Sequence, residues 1–172
     1  MTSTLTLNRV NLAAVAGLAS AINTHPDKAH TTWAAEVEWT GAFASHAHVR
    51  DFAPIVSDEP KTLGGADTAP NPVEQLLAAL GNCLAVGYAA NATAAGIAID
   101  RLTIAVEGDI DLRVFLGLAE GHAGFSAIRT RVDLQTNATD QEVAALHTKV
   151  ASTSPVGHTL SSSVPLSIEP AS

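Results

Sequence analysis

The sequence predicts an α+β fold in which a mostly antiparallel sheet surrounds a long central helix. Apolar residues recur at helical spacing from Pro72 to Ala95, a run longer than an ordinary surface helix. Short segments on both sides of this run alternate apolar and polar residues, as half-buried strands do. The strands come in neighbouring pairs separated by turn residues, which favours antiparallel pairing over a parallel βαβ sheet.

One helix and two strands are predicted ahead of the long helix. Residues 11–23 have the spacing of a helix. Residues 33–40 alternate, with Trp33 and Trp39 on the apolar side, and predict a half-buried strand. Residues 43–49 alternate again after a turn and predict its partner strand.

The long helix has clear start and stop signals. Asn71 is a typical N-cap, Pro72 suits the first helical position, and Glu74 completes the spacing of a capping box. Gly96 is the expected C-cap. One face carries mostly small residues, so another helix could approach it closely. These residues are Ala78, Ala79, Asn82, Ala85, Ala89 and Ala90.

Two more strands are predicted after the long helix, within residues 102–106 and 128–134. The connection 111–124 is ambiguous, because it fits either a short helix with a glycine-rich loop or part of an irregular crossing. Thr139 and Glu142 have the spacing of a second capping box and predict a further helix. Its inward residues are Val143, Leu146 and Val150.

The C-terminal part is predicted to add a short helix and a closing strand. Ser154-Pro155 has the pattern of an N-cap followed by the first helical position. Val164, Leu166 and Ile168 then alternate with other residues, and Pro165 places that strand at a sheet edge.

Length, charge and cysteine content narrow the functional classes. A chain of 172 residues fits one domain, 1–172, with residues 1–30 as an N-terminal helical extension. The net charge of −8 argues against nucleic acid or an anionic membrane as the main partner. The single cysteine excludes a disulfide within the chain, so a reducing cytoplasm is the expected location.

Cys83 and Ser154 are the candidate nucleophiles. Cys83 lies on the apolar stripe of the long helix, where a cysteine is either an inert small hydrophobe or a thiol activated by a group from elsewhere in the fold. Ser154 is first of all a helix cap, although His158 four residues later also fits a serine–histidine hydrolase pair.

The first strand pair carries a set of charged residues that fits two explanations. His46 and His48 share one face of a strand, as a metal-binding pair would, and Glu36 and Glu38 lie on the polar face of the preceding strand. Cross-strand charge pairing that includes Arg50 accounts for all five residues and is the preferred interpretation. We therefore predict neither a metal nor a cofactor, and Arg50 is the best-placed cation for a site near this hairpin.

The run from Gly64-Gly65 through Asn71-Pro72-Val73-Glu74-Gln75 to Asn82-Cys83, followed by Ser154-Pro155-Val156, resembles the OsmC/Ohr family, in its OsmC-like branch. The resemblance implies an intertwined homodimer with long central helices, a sheet wrapped around them, and active sites at the subunit interface. It also implies reduction of organic hydroperoxides by a helix thiolate, which a second cysteine then resolves.

The family's catalytic set is only partly present. Cys83 matches the peroxidatic cysteine, whereas Ser154 stands where the resolving cysteine would be. Val73 occupies the place of the usual glutamate, with Glu74 one residue later, and Arg50 is a plausible counterpart of the family's arginine. The resemblance thus implies a one-cysteine peroxidase whose sulfenic acid is resolved by an external small thiol, a partner protein or the other subunit's Cys83. The missing resolving cysteine and glutamate leave a repurposed or weak enzyme as the alternative.

The leading expectation is thiol-dependent reduction of small organic hydroperoxides by Cys83, with Arg50 and Glu74 as tuning groups and Ser154 as a polar neighbour. The alternative is a non-peroxidatic dimer that binds a small apolar ligand in an interface pocket. In both cases Leu80 and Leu84 are expected to line the pocket.

Overall fold

The computed structural model describes residues 6–171 as a mixed α+β structure with two antiparallel sheets. Its helices are α1 (Leu12–Thr24), α2 (Pro72–Ala94), α3 (Leu112–Phe115), α4 (Asp140–Thr153) and α5 (Pro155–Ser161). Its strands are β1 (Glu36–Gly41), β2 (Ala44–His48), β3 (Ile55–Ser57), β4 (Ile99–Ile110) and β5 (Phe125–Thr136). These elements form two compact units, residues 13–78 and residues 6–12 with 79–171, and α2 contributes to both.

The unit of residues 13–78 contains α1 and the sheet β1–β2–β3. The predicted N-terminal helix and strand pair are confirmed, within a few residues at their ends. The predicted strand over 33–40 begins only at Glu36. The expectation that it is half-buried is wrong for a single chain, because both tryptophans on its apolar side are exposed. Trp33 is 84% exposed and Trp39 is 72% exposed. The single-domain organisation and the extension over 1–30, whose first five residues lie outside the described part, stay predictions.

A buried carboxylate organises the loop that precedes α2. Asp58 accepts hydrogen bonds from the backbone N–H groups of Glu59, Ala66 and Thr68, and from the Thr68 hydroxyl. The bond from the Thr68 backbone is the main reason why the pKa of Asp58 lies below its ordinary value. Gly65 passes so close to Glu59 that a Cβ would lie 1.8 Å from the Glu59 carbonyl oxygen. The loop therefore depends on both the carboxylate and the glycine.

Both ends of α2 follow the sequence signals. Asn71 Oδ1 accepts the backbone N–H of Glu74 at 3.0 Å, and Glu74 Oε2 accepts that of Asn71 at 2.9 Å. At the other end Gly96 has a φ of +74°, and its N–H donates to Thr93 O, while Ile97 N–H donates to Ala92 O. This pair of bonds is a Schellman motif, which confirms Gly96 as the residue that stops the helix.

Among the described residues, α2 is the one helix that is long and apolar enough, by length and composition, to cross a membrane. Part of α2 lies inside the folded structure. Tyr88, Ala92 and Thr93 are buried in the unit that contains residues 79–171. Helices at the centre of a folded core often reach such a composition.

The core of this second unit lies between α2, α4 and the long β4–β5 hairpin. Tyr88, Ala92, Ile97, Leu146 and Val150 form the buried cluster. β4 and β5 extend well beyond the predicted 102–106 and 128–134, and the connection 111–124 is resolved as the short helix α3 followed by a loop.

Two contacts fix α2 against α4. A Cβ at Gly87 would lie 3.0 Å from Cγ1 of Val150, so a glycine at this position lets the two helices come close. One residue further along α2, the Tyr88 hydroxyl oxygen lies 2.5 Å from Nδ1 of His147, within hydrogen-bond distance. Burial raises the pKa of Tyr88 above its ordinary value.

Asn8 attaches the described residues that precede α1 to the same unit. Asn8 Nδ2 donates to Thr93 Oγ1 at 3.0 Å and to the carbonyl oxygen of Ile97 at 2.9 Å. Asn8 Oδ1 accepts the N–H of Ile99 at 2.9 Å. Asn8 therefore joins the residues that precede α1 to the end of α2 and the start of β4.

The C-terminal part contains one confirmed prediction and one error. The capping box of Thr139 and Glu142 starts α4 as predicted, and Ser154 caps α5. The predicted closing strand is wrong, because residues 162–171 form no strand in the structure. Leu166 and Ile168 are 85% and 89% exposed, and Pro165 has no N–H to offer to a ladder.

Candidate functional site

Cys83 and Ser154, 71 residues apart in sequence, are in direct contact. Cys83 Sγ lies 3.3 Å from Ser154 Oγ. The thiol is free and half-buried, whereas Ser154 is only 5% exposed. The fold thus brings together two of the four predicted site residues, both in the unit that contains residues 79–171.

The hydrogen bonds of Ser154 determine what its hydroxyl offers the sulfur. As N-cap of α5, Ser154 Oγ accepts the backbone N–H of Gly157 at 3.1 Å. A hydroxyl has one proton to donate and two lone pairs to accept with. Because the cap uses a lone pair, the hydroxyl proton remains available to the sulfur of Cys83.

The close approach of α2 and α4 creates this contact. Gly87 lies one turn after Cys83 on α2, and Val150 lies one turn before Ser154 at the end of α4. The Gly87–Val150 contact therefore stands one turn from the Cys83–Ser154 contact, on helices that run past each other. A larger residue at position 87 would separate the sulfur from the hydroxyl.

A groove of about 320 Å³ lies beside the pair. Its walls come from α2, β5 and α5, and Leu80 and Gly157 are the members nearest in sequence to Cys83 and Ser154. The lining residues are Leu80, Phe125, Ser126, Ala127, Ile128, Thr130, Gly157, Leu160 and Ser161. Leu80 lines this groove, whereas Leu84 packs against the hydrophobic core, and the predicted pocket at a subunit interface stays a prediction.

Arg50 and Glu74, the other two predicted site residues, belong to the unit of residues 13–78. The Arg50 guanidinium lies 4.6 Å above the ring of Phe52, and Arg50 has a φ of +51° in the turn after β2. Glu74 holds the first turn of α2 through its bond to Asn71. Each residue thus has a local structural partner, and the predicted catalytic roles stay predictions.

The histidine alternatives have structural explanations. His158 Nε2 lies 3.1 Å from the Ser152 carbonyl oxygen, to which its N–H donates, so this nitrogen does not serve Ser154 as a base. On the first hairpin, Glu38 lies 3.9 Å from His48 and is paired in register with His46. Among residues 6–171, His, Cys, Asp and Glu side chains form no group of three that could hold a metal ion.

Sequence reasoning missed Gly157 and the β5 side of the groove. Gly157 could have been found, because it is the third residue of the helix that Ser154 caps, and that position donates to the cap. Phe125 and Ile128 could not, because their approach to α2 depends on the tertiary packing.

Comparison with known proteins places the chain among OsmC relatives. The family model described as OsmC-like protein matches residues 64–169. An OsmC-like protein from Mycoplasma pneumoniae is 20% identical, with a TM-score of 0.66 over 76% of this chain and 88% of that one. No curated protein sequence matches this chain.

Two further solved structures have the same fold. A putative osmotic stress induced and detoxification response protein from Psychrobacter arcticus is 18% identical, with a TM-score of 0.63 over 76% of this chain and 89% of its own. An organic hydroperoxide resistance protein OsmC from Legionella pneumophila is 17% identical, with a TM-score of 0.56 over 76% and 91%.

Proposed function

The chain belongs to the OsmC-like protein family, and we propose that it reduces small organic hydroperoxides with Cys83 as the attacking thiolate. The observation that carries the proposal is the contact of 3.3 Å between a half-buried thiol and a buried hydroxyl. Two further features support it: the uncharged groove beside that contact, and the likeness to a fold whose Legionella example is named an organic hydroperoxide resistance protein.

In the first step, the Cys83 thiolate attacks the terminal oxygen of the hydroperoxide. An S–O bond forms while the O–O bond breaks, and Cys83 becomes a sulfenic acid. The alkoxide that is released takes up a proton and leaves as the alcohol. Ser154 supports this step by donating its hydroxyl proton to the sulfur in the thiolate state. We propose Arg50 and Glu74 as the charged groups that complete the site in the active assembly.

Regeneration requires a thiol from outside the chain. Ser154 Oγ occupies the position next to Cys83 from which a second sulfur could attack, and the sequence has no other cysteine. One external thiol displaces water from the sulfenic acid and leaves a mixed disulfide. A second thiol then releases Cys83 and leaves as the oxidised, disulfide-linked pair. We propose the reducing cytoplasm as the compartment that supplies these thiols.

We also propose that the working unit is a homodimer. On α2, Ala78, Ala79, Asn82 and Val86 are exposed along one side of the helix, although Leu80 and Tyr88 on the other side are buried. Apolar surface of this kind on a long helix is typical of a protein interface. Val86→Arg is expected to convert the dimer to a monomer in sedimentation velocity, and a monomeric wild type would refute the assembly.

The function is tested by hydroperoxide consumption with and without a small-molecule thiol. Without the thiol, the wild type is expected to consume no more than one equivalent of cumene hydroperoxide. Continued turnover is expected only when the thiol is present, and Cys83→Ser is expected to be inactive. Ser154→Cys places a second sulfur beside Cys83, so one equivalent of peroxide is expected to remove both thiols by forming an intrachain disulfide. A folded wild type whose thiol reacts with nothing until it is denatured would refute the proposal.

A second set of variants isolates the hydroxyl. Ser154→Ala removes both the cap and the donor, so it is expected to lower stability by about 1 kcal/mol and to slow alkylation of Cys83. Ser154→Asp keeps a capping oxygen but places a negative charge beside the sulfur. It is therefore expected to slow alkylation further while restoring stability. Equal alkylation rates in all three proteins would show that the hydroxyl does not act on the thiol.

The second candidate function is binding of a small apolar ligand without peroxide chemistry. It is favoured by one observation, the serine in place of a resolving thiol beside Cys83. It predicts that cumyl alcohol binds wild type and Cys83→Ser equally and that no sulfenic acid can be trapped with dimedone after peroxide treatment. Trapping of the sulfenic acid at Cys83 would decide for the peroxidase.

A further inference from the structure

An irregularity in the β4–β5 ladder sets the position of Phe125, the first residue of β5. The pairing is regular from Arg101 with Gln135 to Asp109 with Ala127. It then shifts to Ile110 with Phe125, which leaves Ser126 as an extra residue. Ser126 Oγ donates to the carbonyl oxygen of Asp109 at 3.1 Å. Because of this bulge, Phe125 takes the register position that Ser126 would otherwise occupy.

The ring of Phe125 lies directly on Gly108 of β4. A Cβ at Gly108 would fall 2.6 Å from Cδ1 and 2.8 Å from Cε1 of the ring. These distances are far below van der Waals contact, so a side chain at position 108 would displace the ring. Phe125 can therefore occupy its present position only because residue 108 is glycine.

The same ring forms part of the groove next to the Cys83–Ser154 pair. The groove has Leu80 and Leu160 as aliphatic members, and Gly157 connects it to the hydroxyl of Ser154. None of its lining residues is ionisable, within the described part of the chain. An uncharged group can enter such a groove without losing a compensating charge, whereas a buried carboxylate would have no partner.

We propose that Phe125, seated on Gly108 by the Ser126 bulge, is the specificity-determining residue that limits the size of the uncharged organic group reaching Cys83. The role in catalysis rests on the proposed peroxide reduction. The size limit is a property of the groove, and it applies to any uncharged electrophile that approaches the sulfur.

The test uses two uncharged maleimides of different bulk, N-ethylmaleimide and N-benzylmaleimide, on the native protein. Phe125→Ala opens the groove, so the ratio of the benzyl to the ethyl alkylation rate at Cys83 is expected to rise about tenfold. Phe115→Ala is the matched control, because this ring lies on α3 outside the groove and is itself exposed. The control is expected to leave the ratio unchanged.

Gly108→Ala provides the opposite perturbation. Its methyl group pushes the Phe125 ring out of its seat and into the groove, so the benzyl-to-ethyl ratio is expected to fall. In the Phe125→Ala background the same methyl group has no ring to displace, and the ratio is expected to stay high. An unchanged ratio in Phe125→Ala, or a fall caused by Gly108→Ala even without the ring, would overturn the proposal.

Each variant is also measured for thermal unfolding, and only proteins with a cooperative transition are compared. If Gly108→Ala does not fold, Phe125→Leu replaces it as the second variant and is expected to give an intermediate ratio. Peroxide consumption is measured separately. A protein that shows the size effect with maleimides but no peroxide consumption would refute the proposed function while supporting the groove's size limit.

Discussion

The contact between Gly87 and Val150 offers a size-exchange test of how the helices are packed. Val150 is 1% exposed, so Val150→Ala removes two buried methyl groups. At about 0.8 kcal/mol for each group, the transfer term is about 1.6 kcal/mol. The cavity left behind raises the expected loss of stability to about 2–3 kcal/mol.

Gly87→Ala alone brings two opposing effects. Alanine is better than glycine in a helix interior by about 1 kcal/mol. The new Cβ, however, would lie 3.0 Å from Cγ1 of Val150, and overpacking of this kind costs about 1–3 kcal/mol. We therefore expect a neutral to moderately destabilised protein. Gly17→Ala on α1, where nothing lies within 4 Å of the new methyl, measures the helix term alone.

Combining the two changes places the new methyl group 3.0 Å from the vacated position of Val150 Cγ1, at the edge of the cavity. The double variant is expected to be about 1–2 kcal/mol more stable than Val150→Ala, because it gains the helix term and refills part of the cavity. Urea unfolding of the four proteins gives the coupling energy. Strict additivity, with Gly87→Ala having the same effect in both backgrounds, would refute the packing argument.

Three further predictions concern hydrogen bonds outside the groove. Burial raises the pKa of Tyr88, so its contribution to stability is intact below the ordinary tyrosine value near 10 and is lost as the pH rises through the folded-state pKa. Tyr88 is the chain's single tyrosine, so its phenolate absorbance titrates it directly, and Tyr88→Phe is expected to abolish this alkaline loss. The lowered pKa of Asp58 stabilises the folded state above about pH 4, and this stabilisation is lost as the pH falls through the folded-state pKa. Acid unfolding of Asp58→Asn is expected to lack this pH dependence. Asn8→Gly allows the same left-handed backbone but removes the side-chain hydrogen bonds to Thr93, Ile97 and Ile99. The free energy of unfolding in urea is therefore expected to fall by about 1–3 kcal/mol.

The helix boundaries could be predicted from the sequence because the interactions that set them are local. Asn71 with Glu74, and Thr139 with Glu142, satisfy backbone groups three residues away. Gly96 stops α2 for an equally local reason, its left-handed conformation. Such signals are complete within one turn of helix.

The errors concern surfaces that need a partner from elsewhere. Alternation in residues 164–168 marks a segment that could be a strand, but a strand exists only where another backbone receives its hydrogen bonds. Trp39 marks an apolar face of β1, but its burial depends on what covers that face. The groove beside Cys83 likewise depends on tertiary packing, and local sequence signals could not predict that Ser154 contacts Cys83.

Ser154 shows why a structural explanation of a residue does not exclude a functional one. The N-cap role engages the serine oxygen, which argues against Ser154 as the nucleophile of a serine–histidine pair. The structure separates the two roles, because the cap occupies a lone pair through the Gly157 N–H while the proton remains for Cys83. The cap also holds the Ser154 oxygen in place beside the sulfur. A cysteine at this position would have offered the sulfenic acid a resolving partner instead of a fixed hydrogen bond for the thiolate. In the proposed mechanism, Ser154 is a polar neighbour of Cys83, and resolution of the sulfenic acid falls to thiols in solution.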